Sequence, residues 1–261
     1  MPTTYAHYAF GKEVLNKLDE DMGKIINDNI DLFNIGLHGP DILFYYEPLK
    51  SNLISKIGHE THRKSADVFF ERAKNVINKC PDSDASRAYI AGFICHYMLD
   101  SECHPYIRQK EDGISHSEIE TEFDRSLMIE NKLNPVSHKP TAHIRPKQDY
   151  AQCISLFFEG IDKEEIYKTL KSMKFYLNLL VVPGRLKRSA VIGGLKLSGN
   201  YDSMIDLVMK YTPNEACSKI NENLQDLFRN AVVPTCCLVT EYFKNINSCE
   251  KINERFNRNF D

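Results

Sequence analysis

One stretch of the chain carries residues that could do chemistry together. Between Ala88 and Asp124, His96 and Asp100 stand four residues apart, His104 follows four further on, and His116 and Glu120 repeat the spacing. On a helix, residues four apart emerge side by side on one face, so each pair offers an imidazole nitrogen and a carboxylate oxygen about one turn apart. Two such donors can reach one cation at roughly 2.0–2.2 Å, and a carboxylate has a second oxygen with which to bridge to another. With nine histidines and 36 acidic residues in 261, about one His-xxx-acid pair is expected by chance; two occur. Ordinary ion pairs on helix surfaces are the competing reading. The stronger signal is that both pairs fall between residues 96 and 120, with a third histidine between them. That pattern points to a metal cluster.

The elements that must position these side chains read as helices, because apolar residues recur with a helical period and no alternating strand stands out. A first helix is expected over Tyr5 to Leu18 and a second over Met22 to Phe33, with Gly36 as a stop. Thr61 can cap a helix reaching about Lys79, and Asp84 can cap the one that carries His96 and Asp100. Pro105 disfavours helical geometry for the residue before it, so His104 is expected at a helix end. Ser115 with Glu118 forms a capping-box pattern that opens a helix through Leu127, and Asp162 with Glu165 repeats it. Pro213 suits a first helical position, and a last helix follows Pro234 to about Phe243. Loops are marked at Gly36 to Pro40, Asn134 to Pro146 and Gly193 to Gly199. The expected fold class is all-α, one domain over 1–261. The donor motifs lie within 1–133, and 149–261 supplies further helices without an assigned role.

Composition narrows the function classes. Hydrophobic residues make up 42% and charged residues 26%, as in folded globular proteins. A net charge of −3 provides no global basic field, so no stable nucleic acid partner is expected. No apolar run approaches the length of a membrane span. The first residues read as an amphipathic helix rather than a secretion signal. The eight cysteines, at 80, 95, 103, 153, 217, 236, 237 and 249, form no CxxC pair. Reduced thiols and a cytoplasmic location are therefore the expectation. His138 and His143, in the proline-rich loop, read as solvated, as do the basic clusters Arg185-Lys187-Arg188 and Arg255-Arg258.

The order His96-xxx-Asp100, then His104, then His116-xxx-Glu120 resembles the zinc-dependent phospholipase C family, which is related to fungal single-strand-specific zinc nucleases. The resemblance covers Tyr5 to about Leu127 and implies further site residues upstream. His7 matches an N-terminal histidine, and Asp41, after Gly39-Pro40, matches an aspartate that orients or deprotonates the attacking water. His59 and His62 compete for the next ligand; His62 is preferred because it opens a helix and precedes Phe69-Phe70 at the family's distance. The implied metal ligands are His7, His62, His96, Asp100, His104, His116 and Glu120, and Asp41 is the implied catalytic residue. Asp100 would bridge, with His62 and His96 on one side and His104, His116 and Glu120 around another metal. Secreted members use an N-terminal tryptophan as a ligand, whereas this chain has none. The implied cofactor is therefore two zinc ions, with a third position near His7 left open. Such a site implies hydrolysis of a phospholipid or similar phosphodiester by a metal-activated water, with at most transient contact with a membrane surface. A single-strand nuclease-like phosphodiesterase and a non-catalytic metal-binding helical protein are the alternatives. The aromatic run Phe44, Tyr45, Tyr46 suits either a pocket wall or core packing.

Overall fold

Apolar residues at helical spacing resolve into twelve α-helices and no strand among the described residues, which are 4–80, 82–248 and 250–261 of a computed structural model. Met1 to Thr3, Pro81 and Cys249 lie outside them. The helices are α1 (Thr4–Leu15), α2 (Glu20–Asp28), α3 (Ile30–Gly36), α4 (Leu53–Arg63), α5 (Ala66–Ile77) and α6 (Ser83–Gln109). They continue with α7 (His116–Glu130), α8 (Gln148–Ser155), α9 (Lys163–Leu179), α10 (Arg185–Leu197), α11 (Tyr201–Met204) and α12 (Ser218–Lys244). A 3-10 turn, Gly39–Tyr45, links α3 to the loop before α4. The all-α class expected from the periodicity is the class observed. None of these helices is long and apolar enough to cross a membrane.

Helix α6 is the axis of the core. Nineteen of its 27 residues are buried, on every side of the helix, because α1, α2, α3 and α12 surround it. Two glycines let α3 come into backbone contact with it. A Cβ on Gly36 would lie 2.1 Å from the Tyr89 carbonyl oxygen, and one on Gly92 would lie 2.2 Å from that of Phe33. That close approach carries the Gly39–Tyr45 turn over the face of α6 that holds His96.

Several expected boundaries move, each for a physical reason. Helix α6 continues through Pro105 to Gln109, so His104 sits inside a helix rather than at its end. Helix α12 likewise runs through Pro234. An interior proline costs ~3 kcal/mol, and burial of the flanking apolar residues, among them Ile107 in α6 and Leu238 and Val239 in α12, outweighs it. Asn52 caps a helix that was not foreseen, so Thr61 and His62 occupy the last turn of α4 instead of opening α5. The expected helix over Met22 to Phe33 breaks at Asn29 into α2 and α3. The expected loop at Gly193 is helical until Leu197, and the chain turns at Gly199, whose φ is +71°. A small second apolar cluster of Leu180, Val182 and Val208, with Val191, Leu195, Met204 and Leu207 against it, lies apart from the main core.

Candidate metal centre

Five segments converge on Asp100. Helix α6 presents His96, Asp100 and His104 along one face, as the four-residue spacing requires. Asp100 Oδ2 lies 3.0 Å from His96 Nε2 and 3.9 Å from His62 Nε2, while Oδ1 lies 3.1 Å from His7 Nε2 and 3.5 Å from His104 Nε2. Helix α1 delivers His7, and its first turn is pinned from α7: the backbone N–H groups of Tyr5 and Ala6 donate to the Asp124 carboxylate at 3.1 and 2.7 Å. The Gly39–Tyr45 turn delivers Asp41, whose Oδ1 is 2.8 Å from His62 Nε2 and whose Oδ2 is 3.8 Å from His96 Nε2. The start of α7, capped by Ser115, delivers His116 and Glu120; Glu120 Oε1 lies 3.2 Å from His116 Nε2 and 3.4 Å from His104 Nε2. Donor atoms of His7, Asp41, His96 and Asp100 all lie within 4.8 Å of one another, and so do those of His104, His116 and Glu120.

The outer nitrogens of three histidines settle which inner nitrogen is free. His62 Nδ1 is 3.0 Å from the Gly58 carbonyl oxygen, His104 Nδ1 is 3.1 Å from that of Phe260, and His116 Nδ1 is 2.6 Å from Glu111 Oε1. Carbonyl and carboxylate oxygens only accept, so each Nδ1 must be the protonated donor. In the neutral ring the Nε2 lone pair then points at the carboxylates, an arrangement that imidazole ligands of metals share. Two electron-rich atoms 2.8 Å apart, such as His62 Nε2 and Asp41 Oδ1, need a proton or a cation between them.

The electrostatics describe the same demand. In the metal-free protein a proton meets it at His62: burial opposes the charge, yet the Asp41 carboxylate lifts the imidazole to about 9. Burial likewise opposes the charge at His104, His7 and His116, and the neighbouring carboxylates raise all three above the ordinary histidine value. At His96 burial wins and the ring is held below that value. Burial pushes the Asp100 and Glu120 carboxyls up, but the surrounding imidazoles hold Asp100 well below the usual range and Glu120 at about 2. Of eleven buried side-chain polar atoms without a hydrogen-bond partner among the described residues, seven belong to His7, Asp41, His96, Asp100 and Glu120. Each such orphan costs ~1–3 kcal/mol. A crowded set of imidazole and carboxylate donors with this many atoms short of hydrogen-bond partners fits a zinc site.

The donors form the floor of a cavity of about 910 Å³. Asp41, His62, Asp100, His104, His116 and Glu120 reach it. One part of its lining carries Lys50, Lys56 and Arg63, and another is an apolar wall of Tyr176, Leu177, Leu180, Met204 and Leu207. His59 stands on the exposed rim, its ring stacked on Phe44 at 4.4 Å, whereas His62 reaches the donors. Of the aromatic run, Phe44 and Tyr45 line the cavity.

A family model for zinc dependent phospholipase C matches residues 6–171. The chain belongs to this family. No curated protein and no solved structure matches it. All eight expected site residues of this phospholipase C family member fall inside the matched segment, and the structure brings all eight together. The segments beyond residue 171 complete the surroundings, and no motif signalled them. The apolar wall comes from α9, α11 and the turn after it. The chain's last residues close over the α6 histidines: the buried Phe260 ring packs 5.3 Å from His62 and 5.9 Å from His96, and Asp261 lies 3.7 Å from His104 Nδ1.

Three sequence readings need correction. His143 is not solvated: its ring stacks on Tyr8 at 4.1 Å, its Nε2 lies 2.8 Å from that of buried His38, and burial pushes its pKa down to about 3. His138 is half-buried, edge-on to Tyr5. Arg255 is no free surface charge, since its guanidinium donates to Glu102 and to Ser101. The proline-rich loop folds back over α1, and the tail folds back over α6; neither return path shows in local sequence.

Proposed function

We propose that this chain is a metal-dependent phosphodiester hydrolase of the phospholipase C type. The observation that carries the reading is the convergence of a largely buried His/Asp/Glu donor set, seven of whose polar atoms lack a hydrogen-bond partner among the described residues, on a cavity with both basic and apolar lining. His62, His96 and Asp100, with His7, would hold one side of the centre; His104, His116 and Glu120 would hold the other, with Asp100 between them. Two zinc ions fit these two donor groups. Bound zinc supplies a water of lowered pKa and positive charge for the phosphoryl oxygens.

Asp41, delivered by the Gly39–Tyr45 turn beside His62 and His96, takes the proton of the attacking water on its carboxylate. Lys50, Lys56 and Arg63 attract the phosphodiester and orient it over the donors. Tyr176, Leu177, Leu180, Met204 and Leu207 accept the apolar part of the substrate and exclude water from that side. An amphipathic substrate, a phospholipid or a similar diester, satisfies both walls. Phe44 beside the basic wall offers one stacking surface, the feature that a single-strand nuclease would use. The five-residue apolar wall favours the lipid-like diester.

Assays on a lipid-like phosphodiester, a phosphomonoester and single-stranded DNA, each with and without chelator, separate these functions. Chelator-sensitive cleavage of the first is expected; metal-loaded protein that cleaves none of the three refutes the enzyme reading. Asp41→Asn keeps a ligating oxygen but loses the basic one, so metal content should persist while turnover falls by about 10²-fold or more. Loss of metal in parallel with activity would make Asp41 a ligand only.

A further inference from the structure

Helix α10 lies beyond the segment matched by the family, contains no acidic residue and has no side chain in the core. Leu186 and Leu197 are 89% and 92% exposed. At 3.6 residues per turn, Leu186, Ala190, Gly193 and Leu197 fall within about 60° of arc and form one outward stripe. Arg185 and Lys196 border that stripe on one side; Lys187, on the other, turns back and donates to the Asn178 and Val181 carbonyls. The reverse face is anchored. Val191 and Leu195 rest on the small apolar cluster, and Arg188 donates to the Met209 carbonyl at 2.8 Å while lying over the Tyr211 ring. Leu180, Met204 and Leu207 of that same neighbourhood also line the cavity. The helix is therefore fixed beside the site with two leucines, Arg185 and Lys196 on its exposed side, the Lys196 ammonium lying over the Tyr201 ring.

Leucines beside a cationic border match a bilayer of anionic lipid. Apolar side chains enter the boundary between head groups and acyl chains, while Arg and Lys stems extend along it and leave their charges at the phosphates. A nucleic acid would engage the cations and leave the leucines in water. We propose that the outward face of α10 docks the protein on an anionic lipid surface, with Leu186 and Leu197 entering the bilayer and Arg185 and Lys196 at the head groups. The docking does not depend on the metal centre being hydrolytic.

The absence of tryptophan makes a direct test available. Leu186→Trp introduces a single reporter, and its emission should shift to the blue with vesicles containing phosphatidylglycerol but not with phosphatidylcholine alone. Sedimentation with the same vesicles, in chelator so that capture in the cavity is not counted, gives the affinity. Near the surface each basic residue contributes about fivefold, so Arg185→Gln/Lys196→Gln should weaken binding about thirtyfold. Leu186→Ser/Leu197→Ser should weaken it by more than about tenfold. Both pairs are exposed and remote from the donors, so zinc content should be unchanged. An unshifted tryptophan, equal binding to both kinds of vesicle, or either double variant binding like the parent would overturn the proposal. So would variants that lose single-stranded DNA binding but keep vesicle binding. Vesicle binding without any hydrolysis would support the docking face while removing the hydrolase reading.

Discussion

Replacing Gly39 by alanine puts one methyl group into the proposed metal centre. Gly39 has φ +46°, a left-handed conformation that costs an L-residue about 1–2 kcal/mol. The added Cβ would stand 2.2 Å from His96 Cδ2 and 2.8 Å from His96 Nε2. Ordinary contact begins near 3.4 Å, so ring or turn must give by about 1.2 Å. His96 is fully buried, so relieving the overlap adds about 1–3 kcal/mol. The total loss of stability in metal-free protein is about 2–5 kcal/mol. Ligand distances tolerate only about 0.2 Å, so the side held by His7, His62, His96 and Asp100 should lose its zinc while His104, His116 and Glu120 keep theirs. Gly113 is the control: its φ is +77° and a Cβ there meets nothing within 4 Å, so Gly113→Ala carries the backbone cost alone. Urea unfolding in chelator and elemental analysis after zinc reconstitution measure the two effects. A Gly39→Ala protein with full zinc and the stability of Gly113→Ala would refute the reasoning.

Asp100→Asn removes charge from a carboxylate within 3.9 Å of four imidazoles and should cut zinc content, whereas His138→Ala, outside both donor groups, should not; equal loss in elemental analysis would contradict the assignment. Phe260→Ala empties a fully buried site between His62, His96 and Tyr97 and should cost about 3–5 kcal/mol in denaturant unfolding. A change under 1 kcal/mol would mean that the tail does not support the α6 histidines. Burial raises the Asp124 carboxyl to about 7, against the pull of the Tyr5 and Ala6 N–H donors. A folded pKa above the unfolded value of about 3.9 means that the native state holds the proton more tightly. That contribution is complete below about pH 4 and fades as pH rises to about 7, by up to about 4 kcal/mol. The stability difference between parent and Asp124→Asn should therefore change across pH 4–7, and a difference independent of pH in that window would count against a protonated Asp124.

Short-range pattern determined a good deal of this protein. The helical period determined the all-α class, because a repeated apolar position has only one face to bury. Four-residue spacing placed His96 and Asp100, and then His116 and Glu120, on common faces, since that geometry is set within one helical turn. The capping signals at Ser115 and Asp162 were also legible, because a side chain three residues away satisfies them. Tertiary structure decided the rest. Pro105 and Pro234 read as breaks, yet burial of the surrounding helices overrode their local cost. His62 joins the site from the end of one helix rather than the start of the next, which depends on how α4 packs beside the Gly39–Tyr45 turn. The hydrogen-bond acceptors that aim His104 and His62, the Phe260 and Gly58 carbonyls, are backbone atoms and leave no trace in residue type. The apolar wall, the returning tail and the outward face of α10 were invisible for the same reason. Each depends on which segments, far apart in the chain, the folded core brings to one place.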